Sequence, residues 1–113
     1  LLIGITHDPA HGFVLTLGAG GVLTEILADT VSLLVPSTAD QIEVALLRLK
    51  CAPLIVGYRG KPAANIAAII KAVLAVQDYV ETNADTVSEV EINPLICMPT
   101  KVVAVDALIR KAK

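Results

Sequence analysis

Aromatic residues are nearly missing from this chain: two tyrosines, one phenylalanine and no tryptophan among 113 residues. Three scattered rings give no platform for stacking bases, and a net charge of -2 gives no basic field for a phosphate backbone. Nucleic acid is therefore excluded as a main partner. No run of 18 or more apolar residues escapes Gly, Pro, polar or charged breaks, so no membrane-spanning helix is expected. Cysteine is scarce too. Cys51 and Cys97 lie far apart with no CxxC spacing or nearby His, and they read as small buried hydrophobes in a reducing, cytoplasmic compartment. Leu1–Ile5 carries no charged leader, so no signal peptide is expected. An initiator Met is also missing, and the chain opens directly on the strand-like LLIGI. It is expected to be one domain, residues 1–113, cut from a longer protein.

What the chain does contain is aliphatic residues. The hydrophobic share is 55% and the aromatic share only 3%, so the core must be built from Ala, Val, Leu and Ile. That favours a layered α/β or α+β domain. LLIGI and GFVLTLG read as strands, the second running into Gly18-Ala19-Gly20-Gly21, and TVSLLVP reads as a third. Thr38 with Gln41 three residues on predicts a capping box, followed by an amphipathic helix carrying Ile42, Ala45, Leu46 and Leu49 on one face. PLIVGY reads as a short strand or extended segment. Pro62 suits the first turn of a long helix to about Val80, apolar on most faces and so expected between layers or at an interface.

The segments VSEVEINPLICM and KVVAVDALI finish the chain as two strands. A strand turns alternate side chains to opposite faces, so Glu89, Glu91 and Asn93 share one face. If Pro99-Thr100 forms a two-residue turn, Met98 pairs with Lys101. Counting back, Asn93 stands opposite Asp106, with Cβ atoms about 5 Å apart, and Glu91 stands opposite Leu108. An amide oxygen and two carboxylates make a cluster of hard oxygen ligands of the kind Mg²⁺ takes alongside phosphate oxygens and water. The same residues also suit a plain solvated face, and a slip of one residue would turn Asp106 away. Pro94 cannot donate to a ladder, so it needs a sheet edge or a bulge.

Other polar motifs admit two readings each. Gly20 and Gly21 form either an anion nest or a tight turn. Glu25 beside a phosphate calls for a bridging metal or cation. Arg59, between glycines and close to Lys61, forms either an anion-holding loop or a solvated turn. His7 and His11 read as surface loop residues, and Lys71, Arg110 and Lys113 as solvent-facing charges.

Three strings, LLIGITHDPAHGFVLTLGAGGVLTEIL, GYRGKPAANIAAIIKAV and EVEINPLI with the later AVDALI, together resemble the C-terminal part of the ATP-grasp domain of NDP-forming acyl-CoA synthetases. These are relatives of succinyl-CoA synthetase and of ADP-forming acetyl-CoA synthetase. The resemblance runs from Leu1 to about Arg110, and E-x-N-P-L followed by V-D is its most specific part. It implies an α+β fold, a mainly antiparallel sheet covered by two helices. It implies that Asn93 and Asp106 hold Mg²⁺ on the nucleotide phosphates, with Glu91 as a further or supporting ligand. Gly20, Gly21 and Glu25 match the turn near phosphoryl transfer, and Arg59 matches the Arg of an R-G loop.

The family reaction joins a carboxylic acid to CoA at the expense of ATP or GTP, through an acyl phosphate and a phosphohistidine. It implies partner domains, CoA-binding and ligase, on the same or another chain. His11 stands where the family has an aromatic, Asn65 where an Asp is common, and Pro99-Thr100-Lys101 where the final turn usually has Gly. A regulatory, ligand-sensing synthetase-like domain of a lysine acetyltransferase and a structural module making homo-oligomer contacts are the alternatives.

Overall fold

The computed structural model describes residues 1–21, 26 and 28–112. The strands are β1 (Leu2–Asp8), β2 (Gly12–Gly18), β3 (Thr30–Leu34), β4 (Val87–Ile92), β5 (Leu95–Cys97), β6 (Val102–Ala104) and β7 (Ala107–Lys111). The helices are α1 (Ala39–Arg48), α2 (Ala52–Val56) and α3 (Ile66–Thr82). Five strands form one sheet in the order β3-β2-β1-β4-β7, and β5 and β6 pair in a separate two-stranded sheet. Every strand pairing is antiparallel. The architecture is α+β, as expected, with α1 and α3 packed over the sheet and against each other.

The two-residue period of the strands sorts the sheet into two faces. Ile3 stands opposite Leu17 and Ile5 opposite Leu15, and all four are buried. Val90 joins them from β4, and Ile42, Leu46, Ile69, Val73 and Val80 cover them from the helices. Removing these side chains from water supplies the main driving force for the fold, about 25 cal/mol for each Å² of apolar surface. The in-between residues Gly4, Thr6, Thr16, Ser32, Glu89 and Glu91 fall on the other face, away from the buried core cluster.

The side-chain cap bonds of α1 and α3 are local. The Thr38 hydroxyl accepts from Gln41 N–H, and Gln41 reaches back to Thr38 N–H, completing the expected box. The long helix starts later than Pro62 suggested. Asn65 is its N-cap, its side-chain oxygen accepting from Ala68 N–H at 3.0 Å. Residues 57–61 are held in a turn closed by a Tyr58–Lys61 bridge, which leaves Pro62 outside the helix. α3 is also covered on one side only: Ile69, Val73, Val76, Gln77 and Val80 are buried, while Leu74 and Tyr79 remain substantially exposed. Gln77 grips the chain before α1, accepting from Ser37 N–H at 2.9 Å and donating to Ser37 C=O at 3.0 Å.

PLIVGY is not a strand. Residues 52–56 form α2, and the reason lies upstream. Asp29 is 4% exposed, and its two carboxylate oxygens accept the main-chain N–H groups of Lys50 and Cys51. A carboxylate on the amides at the head of a helix satisfies donors that the helix itself cannot. Cys51 and Cys97 are half-buried rather than buried, lining an apolar cleft of about 310 Å³ with Leu1, Leu54, Ile55 and Leu95. His7 lies in β1 rather than in a loop, its ring edge-on to Phe13, although it is exposed as expected. No helix among the described residues is long and apolar enough to cross a membrane.

Candidate functional site

The final hairpin begins at its turn. Met98 N–H donates to Lys101 C=O at 2.9 Å, and Cys97 pairs with Val102, Ile96 with Val103 and Leu95 with Ala104. The ladder then leaves the small sheet and enters the large one without losing step. Val105 N–H donates to Pro94 C=O and Asn93 N–H to Asp106 C=O, each at 3.1 Å. Ile92 next pairs with Ala107 and Glu91 with Leu108. The register counted from a Pro99-Thr100 turn therefore holds through the site. What differs is continuity. The two long strands are each divided, into β4 and β5 and into β6 and β7, at Asn93-Pro94 and at Val105-Asp106. A proline at the break removes a ladder donor, so the chain bends there and changes sheets.

Asn93 and Asp106 are thus direct neighbours across the bend, tied main chain to main chain. Asn93 is half-exposed and Asp106 exposed. Glu91 lies two residues along β4, flanked by Leu108 of β7 and Gly4 of β1. A side chain at Gly4 would meet nothing within 4 Å, so the surface beside Glu91 is open. Farther along the same face, Glu89 Oε1 takes the Arg110 Nε–H at 2.9 Å. Arg110 is thereby engaged with a carboxylate rather than simply solvated.

The glycine turn arrives from the other side. Gly18 ends β2, which lies two strands from β4 with β1 between them. To reach Asn93 the turn crosses over the start of β1. A Cβ on Gly20 would lie 3.2 Å from Leu1 C and 3.3 Å from Leu1 N, and Gly20 has φ +94. Only glycine meets both conditions at little cost. Gly21, at φ +59, then donates its N–H to Asn93 Oδ1 at 3.2 Å. Two motifs 72 residues apart in sequence meet here.

Other predicted residues stay apart. Arg59 lies in the turn between α2 and α3, at φ +50, its guanidinium 5.3 Å from the centre of the Tyr58 ring. No contact found among the described residues joins it to Asn93 or Asp106. Glu25 lies outside the described residues. His11 Nδ1 sits 3.3 Å from Asp8 Oδ2 at an exposed turn. There the Ala10 N–H, and then His11, hold the Asp8 carboxyl below its usual range. Burial, and next the Asp29 charge, push the Cys51 thiol up to about 11. Burial raises Cys97 as well, so neither cysteine is poised as a thiolate nucleophile.

Asp29 and Gln77 are the functional-looking buried polar groups that sequence reasoning missed. Both serve the fold by satisfying main-chain groups distant in sequence, and no local spacing marks them.

Among the described residues no three His, Cys, Asp or Glu side chains converge as a closed metal cage. The donor set at the bend is one amide and one carboxylate, with a second carboxylate nearby. Such a partial, all-oxygen set suits Mg²⁺, which keeps several waters and completes its octahedron on phosphates.

Residues 1–110 match the ATP-grasp domain family. A trans-feruloyl-CoA synthase from an unidentified prokaryote is 38% identical over 111 residues, which is 96% of this chain and 15% of that protein. The beta subunit of ADP-forming acetate–CoA ligase II from Pyrococcus furiosus is 33% identical over 95 residues, 84% of this chain and 40% of the subunit. A structure of acetyl-coenzyme A synthetase 1 from Ca. Korarchaeum cryptofilum, in complex with coenzyme A and Mg-AMPPCP, superposes with a TM-score of 0.90 at 28% identity, covering 98% of this chain and 52% of that one. The chain thus spans about half or less of the proteins it matches. It belongs to the ATP-grasp domain family, corresponding to the portion of that domain found in ADP-forming acid–CoA ligases.

Proposed function

We propose that this chain is the Mg²⁺–nucleotide half of the ATP-grasp domain of an NDP-forming acyl-CoA synthetase, one part of a longer protein or of a multi-chain enzyme. The reaction is acid + CoA + ATP (or GTP) to acyl-CoA + ADP (or GDP) + phosphate. The observation that carries the reading is the Asn93–Asp106 pairing at the bend, inside the family match. Asn93 and Asp106 are the residues that would hold Mg²⁺, with Glu91 beside them as a further or supporting ligand. Bound there, the ion supplies positive charge to the transferring phosphoryl group.

The protein's own contribution is placement. The ladder fixes the spacing of the two ligands, and the open sheet face leaves room for a nucleotide. Gly20 and Gly21 lie at its phosphate end. Glu25 is assigned to phosphoryl transfer and Arg59 to an anion contact from their sequence motifs. CoA-binding and ligase domains, on the same or a partner chain, complete the enzyme. The chain alone is catalytically inert. Two unpaired thiols suit a reducing, cytoplasmic setting.

The test uses the full-length protein with ATP, Mg²⁺, CoA and a panel of small carboxylic acids. ADP, phosphate and acyl-CoA formed with a particular acid are expected. AMP and pyrophosphate would overturn the reading. Asp106→Ala is expected to lower turnover at least ~100-fold, the scale of losing a group that stabilises transition-state charge. Its melting temperature should be unchanged, since the side chain is exposed. Near wild-type turnover in that variant sinks the metal assignment.

A further inference from the structure

We propose that the Gly20-Gly21 turn is a positioning device for Asn93, acting on the metal end of the site through the Gly21 main-chain N–H. The inference rests on the reading of Asn93 as a metal ligand.

An asparagine amide has two nearly isosteric ends. Its oxygen accepts and its NH₂ donates, so only one of the two flipped orientations presents a donor atom to a cation. Asn93 is half-exposed. The Gly21 N–H chooses between the two. At 3.2 Å from Oδ1 it can only be matched by the oxygen, because an NH₂ group there would face another donor. The amide oxygen has two lone pairs. One takes the Gly21 N–H, which leaves the second for a cation shared with Asp106. The turn thus fixes the side chain on one flank while the Asn93–Asp106 ladder bond fixes the main chain on the other.

The two glycines divide the task. Gly20 provides the crossing, because a Cβ there would lie 3.2–3.4 Å from the C, N and Cα atoms of Leu1. Gly21 provides the donor, at a positive φ of 59° that turns its N–H toward Asn93. At Gly21 a Cβ would meet nothing within 4 Å, so space does not explain the second glycine, and backbone conformation does. On this account the paired glycines are needed even when no phosphate is bound.

The test is a double-mutant cycle on Mn²⁺ affinity, read by electron paramagnetic resonance titration of the full-length protein with ADP present. Asn93→Ala should weaken Mn²⁺ by tenfold or more. Gly20→Ala, which displaces the turn, should weaken it about tenfold, the usual cost of losing a group that orients a metal ligand. In the Asn93→Ala background, Gly20→Ala should then change the affinity less than twofold, because the turn has no side chain left to orient. Full additivity would overturn the positioning role while leaving Asn93 as a ligand. Unchanged Mn²⁺ affinity in Asn93→Ala would instead remove the metal reading itself.

A second readout needs no glycine variant. Hydrogen exchange of the Gly21 amide should speed up at least tenfold in Asn93→Ala. An unchanged rate there also overturns the proposal, even if Gly20→Ala does not fold.

Discussion

The two faces of the five-stranded sheet are made by the same strands and differ in almost everything else. One face carries Ile3, Ile5, Leu15, Leu17 and Val90 under two helices. The other carries Gly4, Thr6, Thr16, Ser32, Glu89 and Glu91, none of which belongs to the buried core cluster. Neighbouring residues on one strand therefore answer to different demands. The packed face holds the domain together, and the open face is free to be polar, flat and fitted to a ligand.

Adjacent positions on β2 test the contrast most sharply. Leu15 is fully buried, and Leu15→Ala should cost about 3 kcal/mol in urea unfolding, from lost burial plus the cavity left behind. The packed face also depends on where α1 starts. Thr38→Ala removes one half of the capping box and should cost about 1 kcal/mol in the same measurement. Smallest is Thr16→Ala, one residue from Leu15 on the open face, where the hydroxyl lies 3.5 Å from Ser32. It should cost about 0.5 kcal/mol or less. A Thr16→Ala loss as large as that of Leu15→Ala would mean that the open face is covered in the folded protein, and the contrast would fail.

The sequence showed the strands and the amphipathic α1 because those signals are local. Alternation in GFVLTLG and the Thr38/Gln41 spacing each act within a few residues. The pairing of Asn93 with Asp106 was also countable, because a short turn sets the register of everything before and after it. By contrast, PLIVGY reads as a strand or extended segment, and the helix it forms instead is headed by amides that Asp29, more than twenty positions upstream, accepts from. Likewise, Pro62 is a sound helix-start signal in isolation. The actual start at Asn65 depends on a long-range tie, its N–H donating to Met98 C=O at 3.0 Å. The Gly21–Asn93 contact was out of reach for the same reason. Each motif was visible, but nothing in either shows that the glycine turn crosses β1 to meet the asparagine.

The final hairpin has an evolutionary corollary. Its tip is Pro99-Thr100-Lys101, and the pairing from Cys97–Val102 down to Asn93–Asp106 is in step. Loop residues beyond the Met98–Lys101 bond can drift, lengthen or change type without disturbing the chemistry at the other end. A single deletion between Lys101 and Asp106 has no such licence, because it would carry the carboxylate to the opposite face. Within one hairpin, tolerance to insertion and intolerance to deletion lie only a few residues apart.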